Sequence, residues 1–374
     1  MMTKQTIPYH IERSQKINAR IKELLLELPP VCSDYFRSIS QTTSALTRLA
    51  YAYDLRVFFK FLREEHLELS AKDTRYLTGE DFAVLTVKDL ERYMEYLTMY
   101  TKELPDADAN GVADREIIQN GERGIGRKIS SVRSFLAYLY RNELIPADPG
   151  ALVKMPKQHQ KPIIFMAEDE IASMLRFAQT GDSLSPMQAA YHQKTQARDF
   201  AILMLFLGTG MRVSELIGLN IDDFDFEENA CVVHRKGGNE TILYYSDDVK
   251  EALLLYAESK EDIVPLEGHE KAFFLSSQRR RMSQRAVENL VKKYATMAAP
   301  LKKRLSPHKL RSTFGTRLYK ETGDIYLVAE TLGHSDVNTT KKHYASMSDE
   351  RKRMAAMRVH IPIEEPSKED EQTE

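Results

Sequence analysis

Residues 145–162, "IPADPGALVKMPKQHQKP", hold four prolines and three lysines. Proline has no amide hydrogen and a fixed φ, so neither a helix nor a central strand runs through such a stretch. The chain is therefore divided here, with residues 151–165 as a lysine-bearing linker between two blocks. At 374 residues it is long enough to give each block its own core. The expected organisation is a helical domain over 1–150, the linker, a second domain over 166–360, and a disordered tail over 361–374. The tail ends in the acidic run "EEPSKEDEQTE".

The first block reads as helix throughout. In "SALTRLAYAYDLRVFFKFLREE" the apolar residues Leu46, Leu49, Tyr53, Val57 and Phe61 recur at helical spacing, and Arg48, Arg56, Lys60 and Arg63 fall on another face. "TVKDLERYMEYLTMY" opens on a threonine cap. "ELPDADANGVADRE" reads as a loop, and "IGRKISSVRSFLAYLYRNEL" as a helix with Arg127, Lys128, Arg133 and Arg141 as its cations.

In the second block, "MAEDEIASMLRFAQ" reads as a helix, and "TQARDFAILMLFLGTGMRVSELIGL" as a buried helix, a glycine break and a short helix. "ACVVHRKGGNETILYYS" reads as a hairpin about a Gly-Gly turn. Three more helices follow, in "MSQRAVENLVKKYATMAA", "SPHKLRSTFGTRLYKETG" and "DIYLVAETLGH". The expected fold class is mainly α with a small antiparallel β-sheet.

Composition excludes several classes. No apolar run approaches the roughly 18 residues of a membrane helix, and "MMTKQTIPYHIERSQK" lacks the apolar core of a secretory signal. Cys32 and Cys231 stand far apart and read as reduced packing residues of a cytoplasmic protein. The net charge of −2 hides an asymmetry: from Lys271 to His360 there are 20 Lys and Arg against 7 Asp and Glu, a net of +13, while the remainder carries −15. So large an excess over 90 residues is the footprint of a polyanion-binding surface rather than of ordinary solvated helix faces.

Four short stretches carry candidate chemistry. In "GTGMRVSEL", Arg212 follows a glycine break at a helix start and Glu215 stands three residues on, placed to hold the guanidinium. An ordinary i,i+3 pair gives the same spacing. The glycines are not a nucleotide fingerprint, since no strand precedes them. "HRKGGNE" puts Lys236 at a hairpin tip, where a lysine is usually a solvated charge. "SPHKLRSTFGTRL" places His308 and Arg311 three apart, behind Ser306 as cap and Pro307 at the first helical position. That is a helix N-terminus suited to an anion. "ETLGHSDVNTTKKHYA" supplies His334 after a glycine turn and Tyr344 near the carboxyl end.

Arg-x-x-Glu, a hairpin Lys, His-x-x-Arg, Gly-His and a late Tyr, in that order, resemble the catalytic set of the tyrosine recombinases. The likeness spans the chain, because those proteins also join a helical DNA-binding domain to a catalytic domain by a linker. Xer-type members look most similar, and the segment "QTGDSLSPMQAAYHQKTQ" is similar to an insertion of the XerS branch. One position departs: where the family often has a second His after the second Arg, this chain has Ser312.

The resemblance implies a C-shaped two-domain clamp on duplex DNA. It also implies a site-specific recombinase acting through a 3′-phosphotyrosyl intermediate, with Arg212, Lys236, His308, Arg311, His334 and Tyr344 as its catalytic residues. It implies no metal and no ATP, a homo-tetramer on two DNA sites, and an activating cell-division protein as possible partner. No arm-binding segment of the phage-integrase kind is visible at the N-terminus, which favours chromosome-dimer resolution. The competing readings are a mobile-element integrase, a type IB topoisomerase and a non-catalytic DNA-binding protein.

Overall fold

The computed structural model describes residues 9–107, 113–157, 159, 164–235, 239–302, 305–333 and 336–338. The chain forms two compact units, Met1–Lys161 and Pro162–Glu374. Among the described residues, no helix is long and apolar enough to cross a membrane.

The first unit contains α1 (Tyr9–Leu25), α2 (Val31–Ser38), α3 (Ala45–Glu65), α4 (Val87–Thr98), α5 (Glu122–Arg141) and the short α6 (Pro149–Leu152). Local chemistry sets the helix starts. The Ser44 hydroxyl accepts from the Thr47 amide at 3.3 Å, and the Thr86 amide donates to Asp89 Oδ2 at 2.9 Å, so both satisfy donors that a helix end leaves open. The core is aromatic. Phe135 on α5 meets Tyr35, Phe59 and Phe82 with ring centroids 5.4, 5.9 and 5.5 Å apart, all edge-on or tilted, the favoured aromatic geometry. Tyr35 satisfies its buried hydroxyl on Ser134 Oγ at 2.9 Å.

Three expectations for this unit are corrected. It is not all helix: β1 (Met99–Ala107) and β2 (Ala113–Gln119) form an antiparallel hairpin across the stretch read as helix end and loop. Its register runs from Met99↔Gln119 to Glu103↔Arg115 and shifts between Glu103 and Ala107, the interval that contains Pro105. The strand signal was there, in Tyr100 and Thr101 opposite Ile118 and Ile117. The acidic turn composition masked it, and pairing depends on a partner strand some 16 residues away. The inward face of α3 is also shifted. Ala52, Leu55, Phe58, Phe59, Phe61 and Leu62 are buried, whereas Leu46 and Tyr53 are exposed. Lys128 is buried rather than part of a solvated cationic stripe, and its ammonium donates to Asn120 Oδ1 at 2.9 Å.

The second unit contains α7 (Glu168–Thr180), α8 (Pro186–Thr209), α9 (Val213–Gly218), α10 (Asp247–Ser259), α11 (Gln284–Ala298), α12 (Pro307–Thr322) and α13 (Ile325–Leu332). Its sheet is antiparallel in the order β3 (Phe224–Asp225), β4 (Ala230–His234), β5 (Glu240–Tyr244). The fold class expected from sequence is the one observed, mainly helical with small antiparallel sheets. The segment read as an insertion supplies the first half of α8, begun by Ser185 and Gln188 as a capping box. It is packed into the unit: buried His192 Nδ1 lies 3.2 Å from the Tyr294 hydroxyl, which donates to Asp199 Oδ2 at 3.1 Å. Cys32 and Cys231 are buried free thiols whose burial pushes their pKa values up.

Candidate active site

The apolar second half of α8 is mostly buried and ends at Gly210, which has φ +62. A Cβ here would lie 2.4 Å from Phe314 Cδ1 and 3.0 Å from Leu332 Cδ2. Only glycine fits the left-handed turn this close to its neighbours. The turn delivers Arg212 to the N-cap of α9, where its amide donates to Glu215 Oε2 at 2.7 Å and its Nη1 to Glu215 Oε1 at 2.8 Å. Glu215 is 4% exposed. The i,i+3 pair is thus a buried carboxylate orienting a half-exposed guanidinium, not an ordinary surface pair.

Arg311 lies on α12, one turn in from its start, and is 4% exposed. Its Nη1 donates to the Gly210 carbonyl at 2.7 Å and its Nη2 to the Leu332 carbonyl. Arg212 Nη2 donates to the Gly333 carbonyl at 3.0 Å. A third guanidinium joins them: Arg235 Nη2 donates to the Thr331 carbonyl at 2.9 Å. Three successive carbonyls at the carboxyl end of α13 thus each accept from a different arginine. That end carries the negative pole of the helix and carbonyls without intrahelical donors, which is why cations gather there. Three guanidiniums against the Glu215 carboxylate leave this group of four side chains with formal charge of plus two, an environment that favours an anion. The bonds named leave Arg212 its Nε–H and one hydrogen on each Nη to offer.

His308 occupies the second position of α12 and is exposed, while Arg311 on the next turn is buried. Ser306 stands at the N-cap as expected, but its hydroxyl makes no capping bond. Ser312 Oγ donates back to the His308 carbonyl at 3.1 Å. Lys236, His334 and Tyr344 lie outside the described residues, each next to or beyond a described anchor: Arg235 for the first and Gly333 for the second. Arg235 is the site residue the sequence reading passed over. Only its neighbour Lys236 stood out in "HRKGGNE", and nothing local marks an arginine at a strand end as half-buried. Burial lowers its pKa from the ordinary arginine value, partly offset by Glu215. Among the described residues, no group of His, Cys, Asp or Glu side chains is placed to hold a metal ion.

Replacing Gly210 with alanine tests how tightly this turn is built. The left-handed backbone alone costs a side-chain-bearing residue about 1–2 kcal/mol, and the collision with Phe314 adds to that. The expected result is a fall of roughly 4–8 °C in Tm for a unit of this size, read by circular dichroism, with loss of activity because the acceptor of Arg311 moves.

The first unit offers a second feature, a cavity of about 1050 Å³ lined by eight basic and three acidic side chains. Arg56, Lys60 and Arg63 of α3 contribute, with Lys72, Arg75 and Arg127. Arg127 is held by buried Asp54, whose carboxyl is pushed up by desolvation despite that partner.

The model of the phage integrase family matches residues 165–351. The tyrosine recombinase XerC of Caldanaerobacter subterraneus subsp. tengcongensis is 31% identical over 339 residues, 88% of this chain and 86% of the relative. XerD of Oceanobacillus iheyensis is 29% identical over 77% of this chain and 92% of its own. Among solved structures, the fold is similar to that of the XerH recombinase bound to its difH substrate (TM-score 0.59, 16% identity, 91% of this chain and 84% of that one). It is similar too to the Tn1549 transposon integrase (TM-score 0.59, 20% identity, 87% and 99%).

Proposed function

The chain belongs to the phage integrase family and is a tyrosine-type site-specific recombinase, and from that premise we propose that it resolves chromosome dimers by cutting and rejoining duplex DNA through a tyrosyl ester. The observation that carries this reading is the meeting of Arg212 and Arg311 at one helix end, one residue before His334 in the chain.

A DNA phosphodiester resists attack because its charge repels nucleophiles. Arg212 and Arg311 bind the non-bridging oxygens as the pentacoordinate transition state forms, each with a planar fork that stays protonated. Glu215 keeps the Arg212 fork aimed. His334 donates a further hydrogen bond. The Tyr344 hydroxyl attacks phosphorus, its proton passing towards His308. The P–O5′ bond breaks, and Lys236 supplies the proton that lets the 5′-hydroxyl leave. The ester keeps the bond energy for rejoining to a partner strand, so the cycle needs neither ATP nor a metal.

The basic cavity of the first unit serves as a grip on the phosphate backbone, while the second unit carries the chemistry. The working assembly is a tetramer of this chain on two DNA sites in the cytoplasm, with a cell-division protein as activator. Domains at 1–150 and 166–360, joined by 151–165, fit that division of labour. Phosphate contacts make affinity steeply salt-dependent, with log K falling by about 0.9 per log unit of salt for each phosphate neutralised. Arg63→Ala combined with Lys72→Ala is therefore expected to flatten that slope by about two, measured by fluorescence anisotropy on duplex DNA at several salt concentrations. An unchanged slope would remove the cavity from the DNA interface.

The deciding experiment uses a nicked duplex built from the host's candidate recombination site, chosen by nuclease protection with this protein. The expected product is a denaturant-stable protein–DNA complex whose linked peptide contains Tyr344, together with joined recombinants when two sites are supplied. Relaxed plasmid without recombinants would instead indicate topoisomerase action.

A further inference from the structure

Arg235 sits one residue beyond β4, beside the hairpin turn, and its amide donates to the Asn239 carbonyl at 2.8 Å to close the ladder. A residue at a hairpin tip is ordinarily solvated, yet this side chain is only 14% exposed. It runs from the sheet to the carboxyl end of α13, where Nη2 donates to the Thr331 carbonyl at 2.9 Å. Its Nε makes no hydrogen bond but lies 4.0 Å from Glu215 Oε1, the carboxylate that also holds Arg212. Its guanidinium crosses directly over Gly333. A Cβ on Gly333 would stand 2.0 Å from Nη1, so the crossing exists only because that residue is glycine.

β5 turns mostly outward, with Ile242 54% and Tyr244 68% exposed. A hairpin with one outward face gains from a tie to a neighbouring helix. One side chain therefore bridges the strand running into Lys236 and the turn running into His334.

We propose that Arg235 is a positioning residue: by clamping the β4–β5 hairpin to the end of α13, it fixes the strand end from which Lys236 delivers its proton to the leaving 5′-oxygen. The proposal rests on the reading of Lys236 as proton donor. In the step concerned, the bond from the Tyr344 oxygen to phosphorus forms, the P–O5′ bond breaks, and a proton moves from the Lys236 ammonium to O5′. With sulfur in place of O5′, the P–S bond breaks and a stable thiolate departs without a proton. Any residue that acts through the proton donor then loses its importance.

The test uses the full-length protein and the nicked duplex described above, made with either oxygen or sulfur at the 5′-bridging position. Misplacing a catalytic group by an ångström or so costs about 10²-fold. Arg235→Ala is therefore expected to slow covalent-complex formation about 10–100-fold on the oxygen substrate. On the sulfur substrate it should come within about threefold of the wild-type protein, because the step no longer waits for the proton. Lys236→Ala run in parallel should show the same recovery. Arg235→Lys keeps the charge but not the fork, so it should lose activity on oxygen and regain it on sulfur even if the alanine variant proves unstable. A loss that persists on sulfur while Lys236→Ala recovers would overturn the proposal and place Arg235 on the phosphate or in the fold. Wild-type cleavage of the oxygen substrate by both Arg235 variants would overturn it too. If Lys236→Ala itself fails to recover, the lysine assignment is at fault and the proposal falls with it.

Discussion

Arg311→Ala is expected to slow DNA cleavage by roughly 10²–10⁴-fold, since two charge-assisted hydrogen bonds worth about 1.5–3 kcal/mol each are lost from the transition state. The loss has a second origin that the structure makes specific. Arg311 is 4% exposed and ties the Gly210 carbonyl to the Leu332 carbonyl, so alanine leaves two inward-facing acceptors unpaired. Each such group costs about 1–3 kcal/mol when buried, and a lower Tm should accompany the lost rate. Arg311→Lys separates the two contributions. It restores the charge, but one ammonium cannot reproduce the planar fork that spans both carbonyls, so most of the rate loss should remain. Single-turnover formation of the covalent complex at saturating protein checks this, because weaker DNA binding does not enter. Cleavage by Arg311→Ala within threefold of the wild-type rate would remove Arg311 from the site.

Tyr344→Phe should bring covalent-complex formation to background while leaving DNA affinity within about twofold, because the change deletes one oxygen and no charge. A phenol near pKa 10 is at once a usable nucleophile with a base nearby and a good leaving group for the return step, which serine is not. Gel shift and denaturing electrophoresis on the same nicked duplex read the two quantities side by side. A complex that persists in the phenylalanine variant would move the nucleophile to another hydroxyl, and peptide mapping would name it.

Much of the fold was legible because its signals are local. The capping box at Thr86 and Asp89, the glycine break at 208–210, and the proline opening α12 act over three or four residues, so the sequence alone carries them. The hairpin at 99–119 was not legible. Its acidic turn resembles a loop, and its strands earn their identity only by pairing with each other. The inward face of α3 was misjudged by part of a turn for a similar reason. Tyr53 and Phe58 are both aromatic, and only the position of neighbouring helices decides which of them is buried.

The candidate site divides along the same line. From sequence came the residue types, their order along the chain, and the pairing of Arg212 with Glu215, which a single helical turn dictates. What tertiary structure alone decided is where the guanidiniums point. Arg212, Arg235 and Arg311 reach α13 from 121, 96 and 21 residues away, and they meet there because a helix end exposes carbonyls that must find donors. No periodicity or spacing encodes such a meeting. It follows from three separate segments being packed against one another, and that packing is also what turned an unremarked arginine beside the hairpin into part of the site.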